Sequence, residues 1–219
     1  MVLNKNTEII LNEYRAKLSL YEEYCVAVCN LLESLLKKDK YKYQLSYRIK
    51  NAQSLREKIL RKNDASKIYR RLSDIEDILG VRIVFYTETD RKRFISKLTK
   101  ELKKQVSIKE MFKVSGYRST HAIISFGNDR TLLSEYIKFK GLKCEVQMTL
   151  ILNHAWAEVE HDILYKEAVH LHKLDKKQYK ILIDRMEKVM VEYIKKASGE
   201  LESIIKEIRH IKVNRLSDK

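Results

Sequence analysis

The segment Asp77-Ile78-Leu79-Gly80-Val81-Arg82-Ile83-Val84-Phe85-Tyr86 carries the strongest fold signal in this sequence. After the glycine, the run is rich in β-branched and aromatic side chains, a composition typical of β-strands. We therefore predict a central strand over Val81–Tyr86. Asp77 stands three residues before Gly80 and would lie at the entrance of that strand.

Two later segments, 116–126 and 142–148, show the two-residue alternation of a strand. Successive side chains of a strand point to opposite faces of the sheet, so every second residue shares a face. The apolar residues of the second segment would point inward, and its polar face then needs a functional reason. The polar residues that share a face are Tyr117, Ser119 and His121 in the first segment, and Lys143, Glu145 and Gln147 in the second.

Helical periodicity flanks these strands. Apolar residues at steps of three and four predict a long helix from about Thr7 to Lys38. Because helices and strands intermix, we predict an α/β (α+β) fold, with a mixed sheet of about four or five strands covered by helices. Further helices are predicted over 51–62, 90–104, 150–165 and 175–211. We expect one domain over 1–219, with a core at about 47–166 and helical flanks over 7–38 and 175–211.

Composition restricts the class of protein. The 219 residues include no Pro and five Gly, and 44% are apolar, which is normal for a globular chain. No run of about 18 uncharged apolar residues occurs, and the N-terminus lacks the basic-then-apolar pattern of a signal peptide. We therefore expect a cytoplasmic protein with no membrane partner. The three cysteines are expected to be buried free thiols.

The chain is strongly basic. Lys and Arg outnumber Asp and Glu by 45 to 30, which gives a net charge of +15 and favours nucleotides, RNA or an acidic protein as partners. The excess is densest over 37–71, where Tyr41, Tyr43, Tyr47 and Tyr69 are interleaved with the basic residues. Basic groups neutralise phosphate and aromatic faces stack on bases, so this segment fits a nucleotide or a nucleic acid. A solvated basic face with the tyrosines packed inward is an equally open alternative.

Two acidic residues are candidates for chemistry. Asp77 precedes one predicted strand, and Glu145 lies on the polar face of another. Two carboxylates brought together at neighbouring strands can hold Mg²⁺, which prefers hard oxygen ligands and usually keeps waters and substrate phosphates as well. A carboxylate beside the metal can also accept a hydroxyl proton during phosphoryl transfer. A surface or salt-bridged pair is the structural alternative.

Five separated segments, in order from about Tyr47 to Lys166, resemble the RelA/SpoT nucleotidyltransferase domain of alarmone synthetases. The segments are Tyr47-Arg48-Ile49-Lys50 with Ser54 and Lys58, Asp77-Ile78-Leu79-Gly80-Val81-Arg82-Ile83, Gly116-Tyr117-Arg118-Ser119-Thr120-His121, Cys144-Glu145-Val146-Gln147, and His154 to His161 with Tyr165-Lys166. The resemblance implies a small stand-alone pyrophosphokinase with long terminal helices. It would transfer the β,γ-pyrophosphate of ATP to the 3′-hydroxyl of GTP or GDP and make the alarmone (p)ppGpp.

The resemblance also implies roles for the residues on the ATP side. Arg48 and Arg82 would stack on the two faces of adenine, because guanidinium planes stack on aromatic rings. The donor phosphates would contact Lys50, Ser54 and Lys58. Asp77 would bind a Mg²⁺ ion that bridges these phosphates.

On the acceptor side, the resemblance implies that Tyr117 stacks on guanine. Glu145 would bind Mg²⁺ or take the proton from the acceptor 3′-hydroxyl. The remaining acceptor contacts would come from Lys113, His121 and Gln147.

Departures from the family pattern fall on the acceptor side and leave two alternatives open. Thr149 occupies a position that is often Arg in the family, and the Pro-Lys signature before the Gly-Tyr motif is reduced to Lys113. Some small toxic members of the family pyrophosphorylate the 3′ end of tRNA, and such a toxin would have an antitoxin partner. The second alternative is a non-catalytic nucleic-acid-binding module. Self-association through the apolar stripes of the terminal helices is a further expectation.

Overall fold

One mixed β-sheet organises the computed structural model. Its strands are β1 (Tyr43–Ile49), β2 (Leu79–Phe85), β3 (Val106–Phe112), β4 (Arg118–Ile124) and β5 (Cys144–Leu150). The five strands lie in the order β1-β2-β5-β4-β3, with β2 and β5 parallel and the other neighbours antiparallel. The structure describes residues 2–39, 41–64, 69–116, 118–162 and 175–217. The predicted mixed sheet of four or five strands is confirmed, and β2 lies inside it as expected.

Helices precede, connect and follow the strands. They are α1 (Val2–Ala16), α2 (Leu18–Lys38), α3 (Ala52–Asp64), α4 (Glu88–Leu102), the short α5 (Asn128–Thr131), α6 (Ile151–Val159), α7 (Lys176–Val189) and α8 (Lys195–Ser217). A π-helical turn over Met190–Ile194 joins α7 to α8, so the C-terminal region is one long helical rod. Among the described helices, none combines the length and the apolar character that a membrane crossing requires.

The first predicted helix is interrupted, which corrects the prediction of one continuous helix from Thr7 to Lys38. At Lys17 the backbone turns to φ −104° and ψ 7°, and its N–H donates to the carbonyls of both Glu13 and Tyr14 at 3.1 Å. The chain becomes helical again when the N–H of Tyr21 bonds to the carbonyl of Lys17 at 3.0 Å. Both helices nevertheless bury most of the predicted apolar stripe.

The core lies between the N-terminal helices, α4 and one face of the sheet. Large buried side chains of α2 and α4 pack against the inward residues of β5, which are fully buried as the alternation predicts. Tyr24 of α2 donates from its hydroxyl to the backbone carbonyl of Ile124, 3.2 Å away, and so ties the helix to β4. Burying such apolar surface is the main force that holds the elements together. The three cysteines are buried and free, as expected.

The basic segment 37–71 contains an edge strand that we did not predict. β1 occupies Tyr43–Ile49, and α3 begins directly after it with Asn51 as its N-cap, whose side-chain oxygen accepts from the N–H of Ser54 at 2.8 Å. Tyr41 and Tyr69 are buried, whereas Tyr47 is 59% exposed. Most of the tyrosines in this segment therefore pack inward, and Tyr47 is the one exposed at the surface.

Candidate active site

The sheet register determines which polar side chains meet. In the parallel pair, Gly80 of β2 lies opposite Glu145 of β5, and Arg82 lies opposite Gln147. β4 pairs with β5 so that His121 also lies opposite Gln147. Directly paired residues share a face of the sheet. The polar side chains that share this face, opposite to the apolar core, are Arg48, Arg82, His121, Glu145 and Gln147.

A cavity of about 460 Å³ lies on this polar face, between the sheet and the end of α6. Its volume is within the range of cavities that hold nucleotide-sized ligands. The wall includes five residues singled out from the sequence, namely Arg48, Arg82, Lys113, His121 and Gln147. Glu145 contacts two of these wall residues directly, as described below.

Asp77 lies just before β2 and forms ion pairs with two lysines. The Nζ of Lys50 is 3.5 Å from Oδ2 of Asp77, and Lys58 of α3 pairs with Oδ1. Burial raises the pKa of the Asp77 carboxyl, but the hydrogen bonds and charges of the two lysines outweigh burial and hold the pKa below its usual value. Asp77 is therefore an ionised carboxylate between two cations at neutral pH.

Ser54 was predicted to contact the donor phosphates together with Lys50 and Lys58. It lies in the first turn of α3, one helical turn before Lys58, and its side chain is exposed. It does not line the described cavity, and neither do Lys50, Lys58, Asp77 or Glu145. Tyr117 and the Tyr165-Lys166 pair lie outside the described residues.

Glu145 is held by two hydrogen bonds. The Nδ1 of His121 lies 2.9 Å from its Oε1, and the Nε2 of Gln147 donates to its Oε2 at 2.9 Å. Burial raises the pKa of the Glu145 carboxyl, and the nearby charge of Asp77 adds to that effect. The bonds from His121 and Gln147, with the charge of His121, outweigh both and lower the pKa below its usual value. The two predicted acids therefore lie within electrostatic range of each other, and both are ionised at neutral pH.

Arg82 projects into the cavity and is partly exposed, at 29% of its side chain. Its Nη1 donates to Oε1 of Glu158 at 2.7 Å and lies 3.5 Å from Nδ1 of His154. Burial and the positive charge of Arg82 lower the pKa of His154, although Glu158 opposes them. Arg48 on β1 is paired with Gly80 on β2. A methyl group added to Gly80 would lie 3.6 Å from Cγ of Arg48. A methyl group at Gly80 would therefore make ordinary van der Waals contact with Arg48, which lies directly beside it.

Two acids of the α6 region belong to the site and were missed from the sequence. Glu158 bonds Arg82, and the buried Glu160 accepts from Lys113 Nζ at 3.0 Å and from Ser115 Oγ at 2.8 Å. They were missed because, in the sequence, Glu158 and Glu160 look like ordinary acidic residues on the solvent-exposed side of a helix. The four-residue spacing from His154 to Glu158, which places both on one helix face, is the signal that would have indicated the first of them.

This arrangement defines the class of protein. An acid flanked by two lysines, with a second acid and two arginines nearby on the sheet, has the chemistry that suits a phosphorylated ligand with a planar ring. The family described as "Region found in RelA / SpoT proteins" matches residues 47–170. Because this match covers more than half of the 219 residues, the chain belongs to the RelA/SpoT family.

Individual relatives agree with this assignment. The GTP pyrophosphokinase YwaC of Bacillus subtilis (strain 168) is 32% identical over 123 residues, which are 54% of this chain and 56% of that protein. The chain thus matches little more than half of the length of this relative. The crystal structure of small alarmone synthetase 2 from Bacillus subtilis has a TM-score of 0.66 at 23% identity, over 89% of this chain and 99% of that one. Small alarmone synthetase 1 from the same organism, bound to its product pppGpp, has a TM-score of 0.55 at 22% identity, over 86% and 90% of the two chains. The two crystal structures show that the fold is shared.

Proposed function

We propose that this protein is an ATP-dependent pyrophosphokinase that transfers the β,γ-pyrophosphate of ATP to the 3′-hydroxyl of GTP or GDP and so makes (p)ppGpp. The observation that carries the proposal is the strand register that sets Glu145 opposite Gly80, three residues after the lysine-paired Asp77, on the sheet face that carries the cavity. Family membership supports it, as do the GTP pyrophosphokinase relative and the pppGpp-bound synthetase of the same fold.

The adenine of ATP would lie between Arg48 and Arg82. Arg48 is paired with Gly80, so Arg82 is its diagonal neighbour on the same face. Diagonal neighbours of an antiparallel pair are about 7–8 Å apart. An aromatic ring in van der Waals contact on both faces needs about 3.5 Å on each side, so the spacing suits a sandwiched base.

The triphosphate would lie beside Asp77, where Lys50 and Lys58 supply positive charge. Asp77 and Glu145 are the residues that would hold Mg²⁺, since this ion is usually bound by one or two carboxylates together with substrate phosphates. When bound, Mg²⁺ neutralises charge that develops on the transferring phosphoryl oxygens. The lysines would orient the chain of phosphates for in-line attack.

Glu145 would accept the proton of the acceptor hydroxyl. The 3′-oxygen forms a bond to the β-phosphorus of ATP, the bond from that phosphorus to the oxygen bridging the α-phosphate breaks, and AMP leaves. An ionised carboxylate is required for this role, and the lowered pKa of Glu145 provides it at neutral pH. The Nε2 of His121 is buried with no hydrogen-bond partner among the described residues, so in the imidazolium form, in which both ring nitrogens are protonated, it would donate to a phosphate of the acceptor.

A second acceptor, the 3′ end of tRNA, is favoured by the net charge of +15 and by Tyr47, which is 59% exposed and lines the cavity. A polyanionic acceptor gains from distributed positive charge, and an exposed aromatic ring can stack on an unpaired base. Such an enzyme would act as a toxin against translation and would require an antitoxin partner. For either acceptor, we propose a cytoplasmic location, where ATP and both acceptors occur.

The test is incubation with ATP labelled at the γ-phosphate and with GDP, GTP or tRNA in separate mixtures. We expect labelled ppGpp or pppGpp from the wild type, and a loss of roughly 10²–10⁴-fold in rate for Asp77→Asn and Glu145→Gln. Glu76→Gln is the matched control, because Glu76 adjoins Asp77 in sequence but pairs with Lys143 at the surface.

The outcomes separate the candidate functions. If only tRNA becomes labelled, the acceptor is tRNA and not a guanosine nucleotide. No product in any mixture, together with salt-sensitive RNA binding that survives Glu145→Gln, would identify a non-catalytic nucleic-acid-binding module.

A further inference from the structure

The loop between β3 and β4 is held on one side by α6. The N–H of Gly116 donates to the carbonyl of Lys113 at 3.0 Å, which closes a tight turn. The side chains of Lys113 and Ser115 both bond to the buried carboxylate of Glu160. The loop ends directly before Tyr117, and Lys113 lines the cavity. The backbone of the loop therefore determines where Lys113 lies in the cavity wall, on the predicted acceptor side.

The C-terminal rod holds the same loop on the other side. An added methyl group on Gly116 would lie 2.8 Å from Cβ and 2.9 Å from Cγ of Met190. Met190 is only 2% exposed, while Val189 and Val191 beside it are 39% and 44% exposed. Gly116 also has φ +94°, a conformation that side chains disfavour. The loop backbone and Met190 are thus in direct contact with no room for another atom.

The position of Met190 along the rod is fixed. Met190 begins the π-helical turn, where one extra residue per turn changes which side chains face inward. Further along, Glu202 accepts from the N–H groups of Glu88 and Thr89 at the start of α4, at 3.1 and 3.3 Å. Arg209 donates to the buried Asp90 at 2.8 Å. These contacts anchor α8 to α4, so the rod is not free to slide.

We propose that Met190 is a positioning residue, which fixes the loop 113–116 against α6 and thereby sets the acceptor side of the cavity. The inference rests on the proposed function, and Lys113 is the residue of this loop that lines the cavity and is predicted to contact the acceptor. Met190 lies outside the region matched by the family, which ends at residue 170. The residues proposed for the ATP side lie on or next to β1, β2 and α3, whereas the contact described for Met190 is with Gly116 of the loop.

Steady-state kinetics test whether a change at Met190 affects KM for the acceptor but not KM for ATP. We expect Met190→Ala to raise KM for GDP or GTP roughly 10- to 100-fold, because the loop relaxes away from its productive geometry. KM for ATP should change by less than about twofold, since its contacts are intact. Met190→Leu, which conserves volume, should restore most of the acceptor KM. Met186→Ala, the same change one turn earlier on α7, is the matched control. Should alanine at 190 unfold the protein, Met190→Val makes the same test with a smaller void.

Amide hydrogen exchange tests the inference without turnover. Met190→Ala should speed exchange of the Gly116 amide, whereas Met186→Ala should not. If the wild type makes no product in any mixture, the proposed function fails, and the exchange result alone decides whether Met190 holds the loop. Equal effects on both KM values, no effect on either, or unchanged exchange would overturn the positioning role.

Discussion

His121 and Glu145 lie on adjacent strands, with Nδ1 of the imidazole 2.9 Å from Oε1 of the carboxylate and Nε2 of the same ring buried without a partner in the described part of the chain. A carboxylate only accepts hydrogen bonds, so Nδ1 is the donor. The ring is therefore fixed at one nitrogen and open at the other. The contact with Nδ1 is one of the interactions that lower the pKa of the Glu145 carboxyl.

Removal of the imidazole should raise the pKa of Glu145. In His121→Ala burial of the carboxyl persists, while the strongest of the groups that lower its pKa is lost. We expect the carboxyl to titrate at higher pH in NMR spectra, and the acid limb of the pH–rate profile to move upward with it. Gln147→Ala, which removes a neutral donor, should give a smaller shift in the same direction. An unchanged titration in His121→Ala would contradict this account.

The ion pairs of Asp77 should contribute stability above the pKa of the unfolded chain. Its pKa is lowered in the fold from an ordinary value of 3.8, so this contribution is complete above that pH and is lost as the pH falls through the folded pKa. Asp77→Asn should cost about 1–3 kcal/mol of unfolding free energy at pH 7, because Lys50 and Lys58 lose their partner. Urea denaturation at several pH values measures the difference, which should shrink below pH 3.8.

The surface pair of Glu76 with Lys143 is the control for this measurement. Glu76→Gln should change stability by less than about 1 kcal/mol, since exposed ion pairs contribute little. A cost for Asp77→Asn that stays constant from pH 7 to pH 2 would show that charge is not its origin.

Arg82→Lys should weaken ATP binding while it preserves the positive charge. A lysine loses the planar guanidinium that would stack on adenine, and stacking contacts of this kind contribute about 0.5–2 kcal/mol. We expect KM for ATP to rise roughly 3- to 30-fold, with little change in KM for the acceptor. Arg185→Lys on the exposed face of α7 is the matched control. If wild type and Arg82→Lys bind ATP with equal affinity, Arg82 does not stack on adenine.

The exposed apolar residues of α8 predict self-association. Leu201, Ile204, Ile208 and Ile211 recur at steps of three, four and three, and each is between 43% and 52% exposed. This is the spacing of a coiled-coil seam. Light scattering should detect an oligomer, and Leu201→Glu with Ile204→Glu should reduce its mass to that of one chain. A wild-type protein that is monomeric at micromolar concentration would contradict the prediction.

Much of the fold could be predicted because β2 and β5 carry strong local patterns, the first apolar and the second alternating. β1 was hidden, because an edge strand in a basic segment keeps only partial burial at Tyr43 and Leu45. The break at Lys17 has no glycine or proline to mark it. The local sequence therefore gives no sign of the break.

The candidate site followed a similar pattern. The motifs indicated which residues belong to the site. How these residues come together depends on the parallel register that places Gly80 opposite Glu145, and this pairing joins distant parts of the chain. The contribution of Met190 had no sequence signal. An apolar residue in a helical stripe looks the same whether it faces a core or a functional loop.

The parallel pairing of β2 with β5 also has a consequence for synthesis of the protein. Everything from α4 to α5 lies between these two strands in the chain, so a nascent polypeptide on the ribosome presents its arginines and lysines well before Glu145 emerges. Long-range pairing of this kind forms late, after the ends of a long loop have met. The growing chain therefore lacks Glu145 until β5 has been synthesised, and the proposed activity requires the finished sheet.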